Sequence, residues 1–283
     1  MRARALTVLA TGPLTTVQDA GRFGQAALGI GRSGACDRRS YRLANRLVGN
    51  PEDAAVLEVT FGGLGVRAES DLMVATTGAR CAGPAPHNAP VVLRSGDELR
   101  LGPPATGLRT YVAVRGGFVV EPVLGSRSTD VLAGLGPPVL DVGTSLPVGE
   151  PTQDMPGVDV APVPDPPDGL VVVRVLPGPR RNWFGDEMWH RLTGQEYGVS
   201  TDSNRVGVRL EGEPLERSHE GELPSEGMVR GALQVPPSGV PVLFLADHPV
   251  TGGYPVIGYV VDEDVDRCGQ LRPGQTLRFA LTA

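Results

Sequence analysis

The sequence predicts a mainly β protein made of two tandem β-domains with few short helices. Three observations carry this prediction. Glycine (39) and proline (27) together form nearly a quarter of the 283 residues, and both residue types are unfavourable inside helices. Short valine-rich runs bounded by turn residues recur along the chain, as in the strands of barrels and sandwiches. A proline-rich stretch divides the chain near its middle.

The strand candidates are four to eight residues long and lie between Gly, Pro, Asp or Asn residues. They are Val56–Thr60, Asp71–Thr77, Pro90–Arg94, Arg109–Val114, Val171–Leu176, Val206–Leu210, Pro241–Ala246 and Tyr254–Val261. Apolar residues at helical spacing predict a helix over Asp37–Val48, which Gly49 ends. We expect shorter helices around Asp186–Leu192 and Asp130–Ala133, and a solvated acidic loop over Asp262–Asp266.

The stretch Pro147–Gly169 is rich in proline and acidic residues and has no hydrophobic periodicity. This composition is typical of a linker or an extended crossover. We therefore predict an N-terminal β-barrel domain over residues 1–146, a Pro-rich linker over 147–169 and a C-terminal β-barrel domain over 170–283. A faint repeat supports two related halves, because Ser95–Leu101 resembles Pro273–Phe279, each a turn followed by a strand.

The composition excludes several classes of function. All 26 basic residues are arginine, so a Schiff-base lysine, a P-loop lysine and a lysine carrying biotin are excluded. The net charge is −6, whereas nucleic-acid binding requires clustered positive charge. No segment of the sequence approaches the roughly 20 consecutive apolar residues that span a bilayer. Three scattered cysteines are typical of reduced thiols. We expect a cytoplasmic protein without nucleic-acid, membrane or structural metal sites.

A glycine-rich motif, Gly29-Ile-Gly31-Arg-Ser-Gly34, precedes the predicted helix and matches the pattern of dinucleotide sites. No buried strand comes before it and no repeating βα units follow, so a nicotinamide or flavin site is not predicted. Ser33 and Asp37 are expected to cap the helix or to help its start hold an anion.

Two segments of the first half combine charged and hydroxyl side chains. Gln18–Arg22 contains an amide, a carboxylate and a guanidinium within five positions. Either Asp19 and Arg22 form an internal salt bridge, or Arg22 binds a carboxylate or phosphate while Asp19 orients it. Gly125–Asp130 surrounds Arg127 with three hydroxyls and is either a capped turn or an anion nest.

In the second half, the loops Gln234–Gly239 and Asp247–Pro255 flank one predicted strand. Antiparallel neighbours would bring both loops to one end of a barrel. Asp247 adjoins His248, but neighbouring strand residues face opposite sides, so a working dyad is not expected. Thr251–Tyr254 is either a turn that approaches a ligand closely or a hairpin with a bulge. A Gly-x-Ser-x-Gly nucleophile elbow is absent from the sequence.

The order of these segments resembles the biotin-dependent carboxyltransferase family, also called the allophanate hydrolase subunit 2 family. The segments are TTVQDAGRFG, SGACD, LANRLVGN, LEVTFGG, TTGA, YVAVRGG, GSRST, PGP, VSTDSNRVGVRLEG, SEGMVRGALQVPPSG and DHPVTGGYP. The resemblance implies two tandem cyclophilin-like β-barrel domains. It also implies an obligate smaller partner, a protein of the allophanate hydrolase subunit 1 type.

Within this family the resemblance favours the C-type subunit of an ATP-dependent 5-oxoprolinase, a cyclic-amide hydrolase that opens the 5-oxoproline lactam to glutamate. The implied cofactor is ATP with Mg, bound here or at the interface with the partner. The implied partners are a B-type 5-oxoprolinase subunit and a third lactam-utilisation subunit. Covalently attached biotin is excluded in this chain, because it has no lysine.

Carried over residue by residue, the resemblance implies Asp19, Arg22 and Asp247 as catalytic residues. It implies a second set that binds substrate or phosphate, made of Gln18, Ser33, Asp37, Ser126, Arg127, Ser203, Arg205, Gln234, Thr251, Gly252, Gly253 and Tyr254. The arginines are expected to bind carboxylate or phosphate. Asp19 or Asp247 is expected to orient water or a metal ion.

Two other functions stay open. One is the carboxyltransferase component of a urea carboxylase or allophanate hydrolase type of system, which requires a biotinylated partner. The other is a non-catalytic regulator that binds a kinase inhibitor.

Overall fold

The computed structural model describes residues 4–219 and 221–282 and confirms a mainly β protein. The strands are β1 (Ala5–Thr11), β2 (Leu14–Gln18), β3 (Val56–Thr60), β4 (Leu64–Ala68), β5 (Leu72–Gly78), β6 (Pro90–Leu93), β7 (Glu98–Arg100), β8 (Arg109–Val114), β9 (Ser145–Pro147), β10 (Val171–Pro177), β11 (Glu196–Val199), β12 (Gly207–Glu211), β13 (Glu226–Gly227), β14 (Ala232–Gln234), β15 (Val242–Phe244), β16 (Thr251–Gly252), β17 (Val256–Val260) and β18 (Thr276–Leu281). The helices are α1 (Arg38–Leu47), α2 (Gly185–Gly194) and α3 (Asp262–Cys268), with short 3₁₀ turns at Ala26–Leu28 and Arg181–Trp183.

The described chain divides into two compact units. The first contains the chain up to Phe23 together with Ser33–Asp130 and Gly134–Pro166, and the second contains Gly24–Arg32, Val131–Ala133 and the chain from Pro167 onward. The proline-rich stretch therefore begins inside the first unit, where Pro147 ends β9 and Val148 bridges to Phe118.

The first unit is built from two β-sheets that share one hydrophobic core. One sheet has the strand order β7-β4-β1-β9 and the other has the order β2-β3-β8-β5-β6. Alternate residues of each strand face the core, as the period of two in a strand requires. Leu6 and Val8 of β1 meet Leu57 and Val59 of β3 in this core, and all four are fully buried.

Helix α1 covers the other face of the five-stranded sheet. Its apolar stripe, Tyr41, Ala44 and Leu47, packs on Val56 and Tyr111 from β3 and β8. Asp37 caps the helix, because its carboxylate accepts a hydrogen bond from Ser40 N (3.0 Å). The predicted helix is thus confirmed, and its first residue lies beside the glycine-rich motif.

The second unit is a closed barrel with the strand order β10-β17-β14-β15-β12-β11-β18. The parallel contact is between β10 and β18, and the other paired strands of the barrel are antiparallel. Tyr197 and Phe279 meet inside it in an edge-to-face arrangement with ring centroids 5.5 Å apart. This closed barrel confirms the predicted fold class.

Two expectations about elements are wrong. The acidic run is helix α3 rather than a loop, because Asp264 and Asp266 are buried against Arg174 and Arg230. Residues 131–134 form a turn rather than a helix. An isolated antiparallel β-bridge between Asp130 and Leu135 closes this turn. No helix within the described ranges is long and apolar enough to cross a membrane.

Candidate functional site

Three segments of the first unit meet near the end of β2. They are the segment 18–22, which begins with the last residue of β2, the segment 33–37 before α1 and the segment 126–130 between β8 and β9. Ala35 N donates to Asp19 O (3.1 Å) and Asp19 N donates to Ser128 Oγ (2.9 Å), so each of the other two loops is bonded directly to the first. Leu124 and Gly125 have left-handed backbones that turn the chain sharply into Ser126.

Asp19 is the centre of this arrangement. Its Oδ1 accepts hydrogen bonds from Ser126 Oγ and Ser128 Oγ, both at 2.6 Å, and from Gly21 N at 2.8 Å. Its Oδ2 accepts from Arg127 N at 2.5 Å. These four hydrogen bonds to one carboxylate hold the segments 18–22 and 126–130 against each other. Hydrogen bonds to a charged group are stronger than those between neutral groups.

Arg22 is buried, and no carboxylate of the described residues pairs with it. The internal Asp19–Arg22 salt bridge, one of the two alternatives that the sequence left open, is absent among the described contacts, because the guanidinium binds main-chain oxygens instead. Its Nε donates to Val123 O (3.2 Å) and its Nη2 donates to Ser128 O. The side chain is 1% exposed, and its Nη1 has no hydrogen-bond partner among the residues that the structure describes. A buried cation with an unused donor matches a site for an anionic oxygen.

Gln18 and Ser33 both contact the loop that binds Arg22. Gln18 Nε2 donates to Thr129 O (2.9 Å), and Ser33 Oγ donates to the same oxygen (3.3 Å). Gln18 is fully buried, and its Oε1 has no partner within the described chain. The site therefore contains one unused acceptor as well as one unused donor.

Arg127 and Asp37 take roles closer to the local backbone. Arg127 binds Asp19 through its main-chain N–H, while its half-buried side chain reaches Val120 O (2.8 Å). Asp37 caps α1 and also accepts from Ser40 Oγ (2.6 Å). The capping interpretation of Asp37 agrees with this geometry.

Sequence reasoning missed two residues of this site. Ser128 binds Asp19 as Ser126 does, and the signal was available, because residues two apart in an extended segment face the same side. Gly136 has a left-handed backbone and touches Arg22 and Ser128, and a Cβ there would overlap Ser128 O and lie 2.6 Å from Arg22 Nη2. Nothing in the local sequence around Gly136 indicates this contact.

The second unit contains a charged pair, Arg205 and Asp247. Arg205 precedes β12 and Asp247 follows β15, and these strands are antiparallel neighbours with Gly207 opposite Phe244. Arg205 Nε and Nη2 donate to the two Asp247 oxygens, each at 2.9 Å, and Val131 N donates to Asp247 Oδ2 (3.1 Å). Both side chains are almost completely buried, so the pair links the residue before β12 to the segment after β15 at one end of the barrel.

Gln234, Gly252 and Tyr254 form another contact group in the second unit. Gln234 Nε2 donates to Tyr254 O (3.1 Å), and a Cβ on Gly252 would lie 2.5 Å from that nitrogen. Thr251 and Gly252 pair with β13 as a short strand. The Tyr254 ring lies 6.0 Å from the Arg217 guanidinium in a cation–π contact.

Two further sequence candidates of the second unit lie at its surface. Gly253 is exposed. Ser203 Oγ accepts a hydrogen bond from Arg209 N (3.0 Å) in the turn before β12.

Comparisons with known proteins agree with this fold. The family model "Carboxyltransferase domain, subdomain A and B" matches residues 28–281. The 5-oxoprolinase C subunit of Escherichia coli (strain K12) is 37% identical over 97% of this chain and 90% of its own length. The crystal structure of TTHA0988 superposes with a TM-score of 0.89 at 37% identity, over 99% of this chain and 56% of that chain.

The crystal structure of the K. lactis urea amidolyase superposes with a TM-score of 0.90 at 28% identity. It covers 100% of this chain and 19% of the amidolyase. In both solved structures the region similar to this chain is thus one part of a longer polypeptide. The family model spans nearly the whole chain, and the resemblance seen in its motifs is confirmed. The chain therefore belongs to the family of carboxyltransferase domains, subdomains A and B.

Proposed function

We propose that the chain is the C-type subunit of an ATP-dependent 5-oxoprolinase. The observation that carries this proposal is the similarity to the E. coli relative along nearly the full length of both chains. The longer urea amidolyase contains this region as a small part only. The buried Arg22 site adds a chemical reason, since 5-oxoproline carries the carboxylate that an unused guanidinium donor binds well.

The reaction requires an activated amide. A lactam resists attack by water, and ATP with Mg, when bound, supplies the phosphoryl group that activates the lactam oxygen. Arg22 then has two possible anionic partners, the substrate carboxylate or the charge that develops on the activated oxygen. Asp19 holds the loops that orient Arg22, because all four of its donors belong to the site.

The side chains around Arg22 are better suited to bind an anion than a metal ion. Arg22 Nη1 is an unused donor, and no three His, Cys, Asp or Glu side chains of the described part are arranged to hold a metal. The Mg²⁺ of a nucleotide keeps mostly phosphate and water ligands, so it requires few protein ligands. We therefore assign this chain the binding of an anionic group, and we place the nucleotide with the partner or at the interface with it.

The proposed assembly contains two further subunits. The E. coli relative is named as one lettered subunit of 5-oxoprolinase, which indicates a multi-subunit enzyme. We propose a smaller partner of the allophanate hydrolase subunit 1 type and a third lactam-utilisation subunit for this chain.

A second candidate is a carboxyltransferase component that acts with a biotinylated partner. The K. lactis urea amidolyase match favours it, because that superposition covers the whole of this chain. Biotin would have to be attached to the partner, since this chain lacks lysine. Streptavidin blotting of the purified native complex separates the two candidates, and a biotinylated subunit would favour the carboxyltransferase.

The test of the proposed site is Arg22→Ala in the reconstituted complex. Loss of a guanidinium that binds developing or substrate charge should lower kcat/KM for 5-oxoproline roughly 100-fold. The matched control is Arg94→Ala, because Arg94 is an exposed arginine that pairs with Asp71 on the surface (2.7 Å). Glutamate release and complex formation are measured for both variants.

We expect Arg94→Ala to resemble the wild-type complex, and Arg22→Ala to assemble normally but lose turnover. Wild-type turnover in Arg22→Ala would remove this arginine from the site. A stable complex in which even the wild-type protein turns over neither 5-oxoproline nor a carboxyl acceptor would favour the regulator instead.

A further inference from the structure

Glu58 is a buried carboxylate in the middle of an apolar strand. It lies in β3 between Leu57 and Val59, which face the main core, and its own side chain faces the opposite side, beneath the loop 33–37. It is 1% exposed. Its Oε1 lies 3.4 Å from Arg109 Nε and its Oε2 accepts a hydrogen bond from Cys36 N (2.9 Å). A buried charge at such a position requires partners, and one partner is the backbone of the site loop.

Tyr111 provides the second connection to the same loop. It lies directly opposite Glu58 in the pairing of β3 with β8. Its hydroxyl donates to Glu58 Oε2 (2.8 Å) and accepts from Asp37 N (2.7 Å). Burial, with the Glu58 charge beside it, raises the pKa of Tyr111 well above its usual value, so the hydroxyl keeps the proton that it donates.

The loop held in this way lies against the centre of the candidate site. Ala35 N donates to Asp19 O (3.1 Å). Gly34 has a left-handed backbone, and a Cβ there would approach Ala20 C and Asp19 O to 3.1 Å, so the two loops touch backbone to backbone. A shift of Cys36 and Asp37 would therefore displace Asp19, and Asp19 fixes the serines whose loop binds Arg22.

We propose that Glu58 and Tyr111 are positioning residues that hold the loop 33–37 and, through it, the Asp19–Arg22 loop in the geometry that the site requires. The pair acts on the backbone N–H groups of Cys36 and Asp37, two consecutive residues, so it fixes both the position and the direction of the chain entering α1. The kinetic part of this inference rests on the proposed function, whereas the structural part does not.

The test is Tyr111→Phe, which removes one hydroxyl and keeps the ring in the core. Thr110→Val is the matched control, because Thr110 is the neighbouring buried residue of β8 and its hydroxyl donates to Ala79 O (2.6 Å), away from the loop. Amide hydrogen exchange of the full-length chain and kcat and KM of the reconstituted complex are measured for both. Glu58→Gln is a second variant, since loss of a buried ion-pair partner tests the same loop at greater risk to folding.

We expect Tyr111→Phe to raise the exchange rates of the Cys36 and Asp37 amides about tenfold and to lower kcat/KM roughly tenfold. Thr110→Val should change neither these exchange rates nor kcat/KM, even if it lowers the melting temperature as much as Tyr111→Phe does. Unchanged exchange at both amides would overturn the inference. Faster exchange with wild-type kcat and KM would overturn the positioning role. If the wild-type complex turns over no 5-oxoproline, the proposed function fails, and the exchange rates alone decide whether Glu58 and Tyr111 hold the loop.

Discussion

Arg22 has an environment that stability alone does not explain. A buried guanidinium without a carboxylate is costly, and an unsatisfied buried donor costs about 1–3 kcal/mol. Two main-chain carbonyl oxygens accept hydrogen bonds from Nε and Nη2 of Arg22, whereas Nη1 has no hydrogen-bond partner within the described chain. A buried polar group that lacks a partner requires an explanation, and a bound anion is one. We therefore expect substitution of Arg22 to cause a large loss of function.

Gly136 should be required for the geometry of Arg22. Gly136→Ala places a methyl group against Ser128 O and Arg22 Nη2, and crowding plus left-handed strain should cost roughly 3 kcal/mol. Gly134→Ala is the matched control, because Gly134 also has a left-handed backbone, and no atom of the described residues lies within 4 Å of the position that its Cβ would take. It should cost only about 1 kcal/mol of strain. Urea unfolding of both variants measures the difference, and equal costs would show that Gly136 is not crowded.

The sequence indicated which polar residues belong to the candidate site, but not which of them bind one another. Gln18, Asp19, Arg22 and Ser126 stood out because polar side chains are clustered between strands, and the structure brings them together. Of the two alternatives that the sequence left open, the Asp19–Arg22 salt bridge is absent among the described residues, since donors of a distant loop bind Asp19 instead. The role of Gly136 depends on a contact between residues far apart in the chain, which no local pattern contains.

At the scale of elements, α1 tests whether Asp37 only caps or also binds a ligand. Asp37→Ala removes the acceptor for Ser40 N and Oγ and should cost about 1 kcal/mol. Asp37→Asn keeps the cap, so its unfolding free energy should stay close to the wild-type value. The unfolding free energy and the activity of both variants are compared. An active Asp37→Asn complex supports a cap alone, whereas an inactive, fully stable one indicates a ligand-binding role.

The segment 161–165 belongs to the first unit and lies beside a buried histidine. Ala161 N donates to Asn88 O (2.7 Å), and Asp165 pairs with Arg80 (2.9 Å) and lies 3.6 Å from His87 Nε2. Burial, and then the Arg80 charge, lowers the pKa of His87 below its usual value near 6.5. The folded state therefore favours the neutral ring. At pH values between the lowered pKa of His87 in the folded protein and its usual pKa near 6.5, the folded state binds fewer protons than the unfolded state.

Stability should consequently fall as the pH drops from about 6.5 through the lowered pKa of His87. Unfolding free energies at pH 7 and pH 5 should differ less in His87→Leu than in the wild-type protein. His190→Leu is the control, since His190 is exposed on α2. An identical pH dependence in His87→Leu would show that His87 does not titrate in this way.

Strands were more predictable than the acidic helix. All eight predicted strands exist with ends displaced by two residues or fewer, because Val-rich runs between turn residues are a local signal. Strands β13 and β16 have two residues each and carry almost no signal. Helix α3 was missed because its acidic residues are paired by arginines from β10 and from the segment before β14. Those contacts form only in the folded barrel.

At the scale of the whole molecule, the absence of lysine constrains the chemistry. A permanently charged side chain that binds an anion in this chain must be arginine, and the Arg22 site also has backbone N–H groups and hydroxyls nearby. Covalent biotin is impossible on this chain itself. The chain is therefore suited to bind a substrate or activated group rather than to carry one, which agrees with the proposed hydrolase function.

The proposed role of this chain in a 5-oxoprolinase can be tested by one coupled assay of the complex purified with its partners. Glutamate and ADP are measured together after 5-oxoproline and MgATP are added, with and without avidin. We predict that glutamate and ADP form in equal amounts, in reactions that require this chain and are insensitive to avidin. Absence of glutamate, or turnover that avidin abolishes, would contradict it.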